Sequence, residues 1–431
     1  MGAFEVTILI LSFFSFLALG VPVAWGLGLS GMITVLLSMP PLIAVTTIAQ
    51  RMVTGLDSFT LLAIPFFILA GALMNRGGLA RRLIDFAKAL VGAAPGGLAA
   101  VNVVAAMLFG AIAGSAAAAA SAIGTIMTDR MEDEGYPRPF SAAVNITSAT
   151  TGLIIPPSNI LIVYSLAAGG VSIGALFVAG YVPGIITGLL LIIVAAIWSK
   201  RKGYPRGEAW HLPTIFKTGA SAFPSLLLLV VVIGGIVKGY FTATEASAIA
   251  VAYCFGLALW YGELKMKDLP DVLAESVRTT AIVLLLVATS LALSWVMSYE
   301  NLPQAITESL LGLSDNKVVL LLIINLTLLV VGVFMDMTPA VLIFTPIFLP
   351  IVTALGMDPI HFGIMMVLNL CIGLCTPPVG SVLFVGVGVA RVRLSQVLRP
   401  LLPLFVVMII ALLLVTYIPA LSMWLPGVFG Y

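Results

Sequence analysis

Apolar residues fill this chain in long blocks separated by short turns rich in Gly, Pro and charge, each block about as long as a membrane-crossing helix. In the first half the blocks predict helices at 4–20, 22–38, 58–74, 141–168 and 174–198. A shift of 221 residues lays these on 225–241, 243–259, 279–295, 362–389 and 395–419, which are again apolar. The same shift places Gly152-Leu-Ile-Ile-Pro-Pro-Ser-Asn on Gly373-Leu-Cys-Thr-Pro-Pro-Val-Gly. One short likeness arises by chance, but agreement block by block along the chain points to duplication. The first repeat is expected at 1–210, with scaffold helices over 4–74, an amphipathic arm at 75–94, a hairpin at 97–128, an interrupted helix at 141–168 and a helix at 174–198. The second is expected at 211–431, with scaffold helices over 213–297, an arm at 299–315, a hairpin at 318–353, an interrupted helix at 361–389 and a helix at 400–424.

Composition then narrows the class. The 431 residues are 61% hydrophobic and 9% charged, whereas a soluble domain carries about 25% charged residues. Soluble enzymes, nucleic-acid binders and disordered scaffolds are excluded, which leaves an all-α polytopic protein embedded in a lipid bilayer. The start, MGAFEVTILILSFF, has an acid where a signal peptide carries a basic region and reads as an uncleaved first span. Lys200, Arg201, Lys202, Arg206 and Lys217 form the densest basic loop, expected in the cytoplasm. Tracing outward puts 75–94, 129–140, 262–278 and 390–400 on the same side. These five loops hold all but Arg51, Lys238 and Lys317 of the 20 Lys and Arg. The trace closes only if 97–128 and 318–353 turn back inside the bilayer. One half then starts outside and the other inside, the inverted-repeat architecture of secondary transporters.

Chemistry is expected where the helices break. Proline at position i removes the hydrogen bond to the carbonyl of i−4. Pro156 and Pro157 therefore free Gly152 and Leu153, and Pro377 and Pro378 free Gly373 and Leu374. Thr150, Thr151, Ser158 and Asn159 lie near the first break, and Thr376, Gly380 and Ser381 near the second. Neutral oxygens at helix C-terminal ends suit a desolvated Na+; one Pro-Pro alone would read as a kink satisfied by hydroxyls and water, but a symmetric pair near the midplane favours ion sites. The hairpin tips form a second constellation. Gly114, Ser115 and the alanine run to Ser121 are small and smooth, and Ser115 falls on Asp336 under the shift, beside Thr338. Small residues allow close packing, while the hydroxyls and tip N–H groups could hold an acidic substrate. An ionisable Asp336 deep in an apolar stretch is a functional candidate by default. Glu245 and Asp57 read as helix-start residues. Gly180, Gly184 and Gly188 suggest tight contact with another helix, one source being a partner subunit.

Enzymatic machinery is not expected. No Gly-Lys pair occurs, so a phosphate-binding loop is unsupported. His211 and His361 are too few and too far apart for a catalytic metal, and His361 is expected at the membrane interface. Cys254, Cys371 and Cys375 form no disulfide framework, and the last two read as helix packing.

The segments GVPVAWGLGLSG, AGSAAAAASAIGTIM, TTGLIIPPSNILIVYS, FTATEASAIAV, FMDMTPAVLIFTPIFLPI and LCIGLCTPPVGSVLFVG resemble the large membrane subunit of tripartite ATP-independent periplasmic (TRAP) transporters over essentially the whole chain. The resemblance implies an elevator-type, inverted-repeat transporter of the bacterial inner membrane, driven by two or more transported Na+. One Na+ is implied near Ser115 with Gly152, Ile155 and Pro157, and another near Asp336 with Gly373, Thr376 and Pro378. Substrate contacts are expected from Ser115, Ser121, Ser158, Asn159, Thr338, Gly380 and Ser381. The implied partners are a small four-helix membrane subunit (Q type), expected as a separate polypeptide here, and a periplasmic substrate-binding protein (P type). Substrates would be organic acids such as sialic acid (N-acetylneuraminate) or C4-dicarboxylates. The roomy first tip leans toward sialic acid. A stand-alone Na+/carboxylate symporter and an ion channel with re-entrant loops are the alternatives.

Overall fold

In the computed structural model the described residues are 3–93, 96–205, 211–313 and 316–431, and among them the regular structure is helical throughout. Arg206 of the basic loop and the expected repeat boundary at 210 lie outside them. Among the described residues eight helices are long and apolar enough to cross a membrane. The local grammar is conventional. Thr242 and Glu245 form a reciprocal capping box at the start of a helix, as expected for Glu245. Ser172 Oγ accepts the Ala175 N–H at the start of a 30-residue helix, which ends at Gly203 in the left-handed region.

One group of helices makes a frame: α1 (Ala3–Ala18), α2 (Val23–Ser38), α3 (Pro41–Leu56), α4 (Ala63–Arg76), α11 (Leu212–Val237), α12 (Ala243–Trp260) and α13 (Leu269–Tyr299). Here α4 packs on α12 and α13, while α2 and α3 pack on α13. Two arm helices follow their halves of the frame, α5 (Leu79–Val91) and α14 (Leu302–Leu313). On α5, Leu79, Leu83, Ile84 and Ala87 are buried. Arg82 donates to Ser221 Oγ at 2.9 Å and stacks 3.6 Å from the Tyr261 ring, which fastens the arm to the frame. Across the same arm, Asp85 pairs with Arg130 and Lys88 with Glu134.

The second group holds two helical hairpins, α6–α7 (Gly97–Ala113, Ala116–Asp133) and α15–α16 (Lys317–Phe334, Met337–Ala354). It also holds two interrupted helices, α8–α9 (Arg138–Thr151, Asn159–Ala167) and α17–α18 (Pro359–Leu374, Ser381–Ala390), together with α10 (Ile173–Lys202), α19 (Leu394–Tyr417) and α20 (Ala420–Phe429). The hairpins pack crosswise: α7 lies on α8 and α18, and α16 lies on α17 and α9.

Several expectations are corrected by these elements. The stretch 41–56 is a helix that ends on Asp57, whose N–H donates to the Thr54 carbonyl, and the helical start expected at Asp57 lies one residue on, with Ser58 preceding a short 3-10 turn at Phe59–Leu62. The stretch 400–424 is not continuous, because Pro419 separates α19 from α20. His361, in the first turn of α17, is buried within the protein, with Nε2 2.7 Å from the Val415 carbonyl of α19. The first turn of α17 points it at a neighbouring helix. Asn325 and Asn369, left unassigned by sequence, join α15 to α17, and Asn325 also donates to Thr416 of α19.

Candidate functional site

The two hairpin turns are built at equivalent places but in different ways. α6 ends at Gly114, whose φ of 61° favours glycine. A Cβ there would also stand 2.6 Å from Asn159 Nδ2. Ser115 then caps α7 by accepting the Ala118 N–H at 3.3 Å. At the second tip Met335 and Asp336 are extended, and the Asp336 side chain makes no cap bond to α16.

The interrupted helices leave α-geometry at the two Pro-Pro pairs, and the four carbonyls named by the proline argument meet different fates. Ser158 Oγ donates to the Leu153 carbonyl at 2.5 Å, and the Thr376 N–H donates to the Gly373 carbonyl at 2.9 Å. Among the described residues no hydrogen bond ends on the carbonyls of Gly152 or Leu374. Each break glycine touches the backbone of a hairpin. A Cβ on Gly152 would lie 2.5 Å from Gly110 Cα, and one on Gly373 would lie 2.6 Å from Gly332 Cα. Between the breaks Cys371 donates to the Thr150 carbonyl at 3.3 Å, and these two positions are themselves 221 residues apart.

The Gly180, Gly184 and Gly188 stripe on α10 meets this chain itself. It faces the Ile154 carbonyl, the Ile155 side chain and the Met107 side chain in turn. Contact with a partner subunit is therefore not the stripe's role. The breaks also differ in cover: Gly152 to Ile154 and Pro156 to Ser158 are buried, whereas Pro378 and Val379 are exposed.

Between the frame and the tips lies a cavity of about 530 Å³. Ser115, Asn159, Asp336, Thr338 and Ser381 of the expected site line it. Asp336 counts as exposed although protein surrounds it, because the surface it shows is the cavity wall. Four helices (α7, α9, α16 and α18) begin at this wall, so their unpaired N–H groups and positive dipole ends gather there. The other expected residues stand apart from it. Ser121 is on an exposed face, and Ser158 is buried in its bond to Leu153. Thr376 donates to the Ile372 carbonyl, Gly380 closes the second break by donating to Thr376, and Pro157 faces Phe67 and Leu228 of the frame. The frame contributes Asn75, Glu275, Ser276 and Thr279, which the sequence reading passed over. They sit where a basic loop gives way to a span, and only tertiary packing turns them toward the tips.

Residues 10–421 match the family described as "Tripartite ATP-independent periplasmic transporter, DctM component". The chain belongs to the DctM family. It is 53% identical to YgiK of Salmonella typhimurium over 99% of this chain and 98% of that one. It is 42% identical to the C4-dicarboxylate TRAP transporter large permease protein DctM of Pseudomonas aeruginosa, covering 94% of each. It is also 42% identical to the isethionate TRAP transporter permease protein DctMQ of Oleidesulfovibrio alaskensis, over 96% of this chain and 65% of that one. Among solved structures the Alcanivorax borkumensis YdaH transporter shares the fold, with a TM-score of 0.63 at 14% identity over 90% of this chain and 88% of that one. This DctM-family chain is thus the large permease component of a TRAP transporter, a multi-pass inner-membrane protein whose role is transport rather than catalysis.

Proposed function

We propose that this permease imports an organic acid together with Na+ by moving its hairpins and interrupted helices as one body against the frame. The observation that carries the reading is the cavity, where both hairpin tips, the starts of both second half-helices and the frame meet. Ser115 and Asp336, one repeat apart, share its wall. Helix starts favour the acid's negative charge, and the Asp336 carboxylate, Ser115 hydroxyl and unpartnered Gly152 and Leu374 carbonyls are the hard oxygens Na+ prefers. The cavity reaches Asn75 and Glu275, at the end of the frame expected in the cytoplasm, so this conformation is the one that releases cargo inward.

A P-type binding protein would deliver the acid outside, and a Q-type subunit would extend the frame. Relatives named for isethionate, C4-dicarboxylate, sialic acid and 2,3-diketo-L-gulonate support organic acids as the cargo class. The test is uptake of radiolabelled acids into proteoliposomes holding this chain with its small subunit and binding protein. Uptake should require all three proteins and an inward Na+ gradient. Uptake by this chain alone would favour the stand-alone symporter, and ionic current without substrate would favour the channel.

A further inference from the structure

We infer that the frame holds a hard metal cation, Ca2+ or Na+, where the ends of α2 and α13 meet the buried carboxylate of Glu300. The site stands apart from the cavity and does not depend on the transport reading.

The chain has three Pro-Pro pairs, and two of them break the interrupted helices. The third, Pro40 and Pro41, follows α2 and lacks the N–H groups that would close its last turn on the Leu36 and Leu37 carbonyls. Among the described residues no hydrogen bond ends on either carbonyl. α13 packs along α2 and stops beside the same point, where Ser38 Oγ donates to Glu300 Oε1 at 3.1 Å. Because α13 leaves a loop placed in the cytoplasm, this end faces outside.

Glu300 keeps only 7% of its surface, and its second oxygen, Oε2, is buried without a hydrogen-bond partner. None of the ion pairs among the described residues includes it. Arg51, the basic residue of the neighbouring α3, instead lies over the Trp295 ring at 4.9 Å. Two helix C-terminal ends, each negative, thus converge on a buried carboxylate served by one hydroxyl. A buried acceptor left unpaired is costly, and a charged one more so. Among these groups only the Ser38 hydroxyl donates, so the missing partner is a cation. Carboxylate, hydroxyl and carbonyl oxygens are the hard ligands that Ca2+ and Na+ take, with water completing the shell. Mg2+, which demands near-octahedral geometry and dehydrates reluctantly, suits helix-end carbonyls less.

The test is Tb3+ luminescence on the full-length chain in nanodiscs of zwitterionic lipid, excited through tryptophan. Trp295 lies five residues before Glu300, about 7.5 Å along the helix axis, and serves as the antenna. Emission should appear on the wild-type chain and fall at least about tenfold in Glu300→Gln, which keeps the size but removes the charge. Trp295→Phe should lose the emission yet keep the cation-dependent rise in unfolding temperature that Glu300→Gln loses. Displacement of Tb3+ by Ca2+ at about 1 mM or below marks a divalent site of the weak extracellular kind. Displacement by Na+ alone marks a monovalent one. Emission that is absent from the wild-type chain, unchanged in Glu300→Gln, or displaced by neither ion overturns the inference.

Discussion

The contact between break and hairpin can be tested with one methyl group. In Gly152→Ala the added carbon would lie 2.5 Å from Gly110 Cα and 2.9 Å from the Ala106 carbonyl, and in Gly373→Ala it would lie 2.6 Å from the Gly332 backbone. Carbon atoms in contact stand about 3.5–4.0 Å apart, so each methyl is about 1 Å short of room. The obstacle is backbone, which cannot rotate aside. Overpacking of this kind costs about 1–3 kcal/mol, and these two sites belong at the upper end. The reciprocal changes are gentler, because Gly110→Ala meets Gly152 Cα at 2.9 Å and Gly332→Ala meets Gly373 Cα at 3.1 Å. They should cost about 1 kcal/mol or less at position 332 and somewhat more at 110. Thermal unfolding in detergent, followed by tryptophan fluorescence, should therefore rank the losses with positions 152 and 373 first, then 110, then 332. Because both methyls open the same gap, Gly110→Ala with Gly152→Ala should cost less than the sum of the single changes. A wild-type midpoint and wild-type uptake for Gly152→Ala would refute the reasoning.

Three further outcomes are expected. Asp336→Ala and Ser115→Ala should each lower Na+-dependent uptake at least about tenfold with normal membrane insertion, and an unchanged Na+ dependence in both would remove them from the site. Gly71→Val should strike the seat of the first tip on the frame, where even a Cβ would stand 3.0 Å from the Ala113 backbone. An overpacking cost of about 1–3 kcal/mol would depopulate this conformation by about 5-fold to about 160-fold. Labelling of Ser115→Cys from the cytoplasmic side should slow accordingly, and an unchanged rate would show that the seat does not matter. Arg82→Ala removes the Tyr261 stack and the Ser221 bond, worth about 1 kcal/mol. Hydrogen exchange across α5 should rise, and unaltered protection there would dismiss the fastening.

How much of this was legible beforehand depended on the kind of signal each region carries. Hairpins and interruptions announce themselves, because Gly, Pro and Asp inside an apolar run have few tolerable meanings in a bilayer. The arms were readable from a buried stripe beside charge. The frame was harder. α3 begins at Pro40 and Pro41 and carries Gln50 and Arg51, so its hydropathy falls below that of a span, and the chain around it passes for a loop. Pro419 splits the last block because the residues on both sides are apolar and only the backbone marks the boundary. His361 and Asn369 show the same limit, since polar residues in a span reveal their partners only when neighbouring helices are in place. The cavity was half readable: its tip residues are punctuation in the sequence, whereas Asn75, Ser276 and Thr279 gain meaning only through the fold.

The glycine stripe on α10 bears on assembly. Because its closest-approach face is already filled from within, what remains outward is a ladder of Ile185, Leu189, Ile193 and Ile197, each about half exposed (45%, 53%, 51% and 49%). A neighbour resting on branched side chains of that size is held off at an interaxial distance of about 8–10 Å. At that separation acyl chains compete on equal terms with another helix. Along this edge, companionship would be decided by the surrounding lipid or detergent as much as by the neighbour's own sequence.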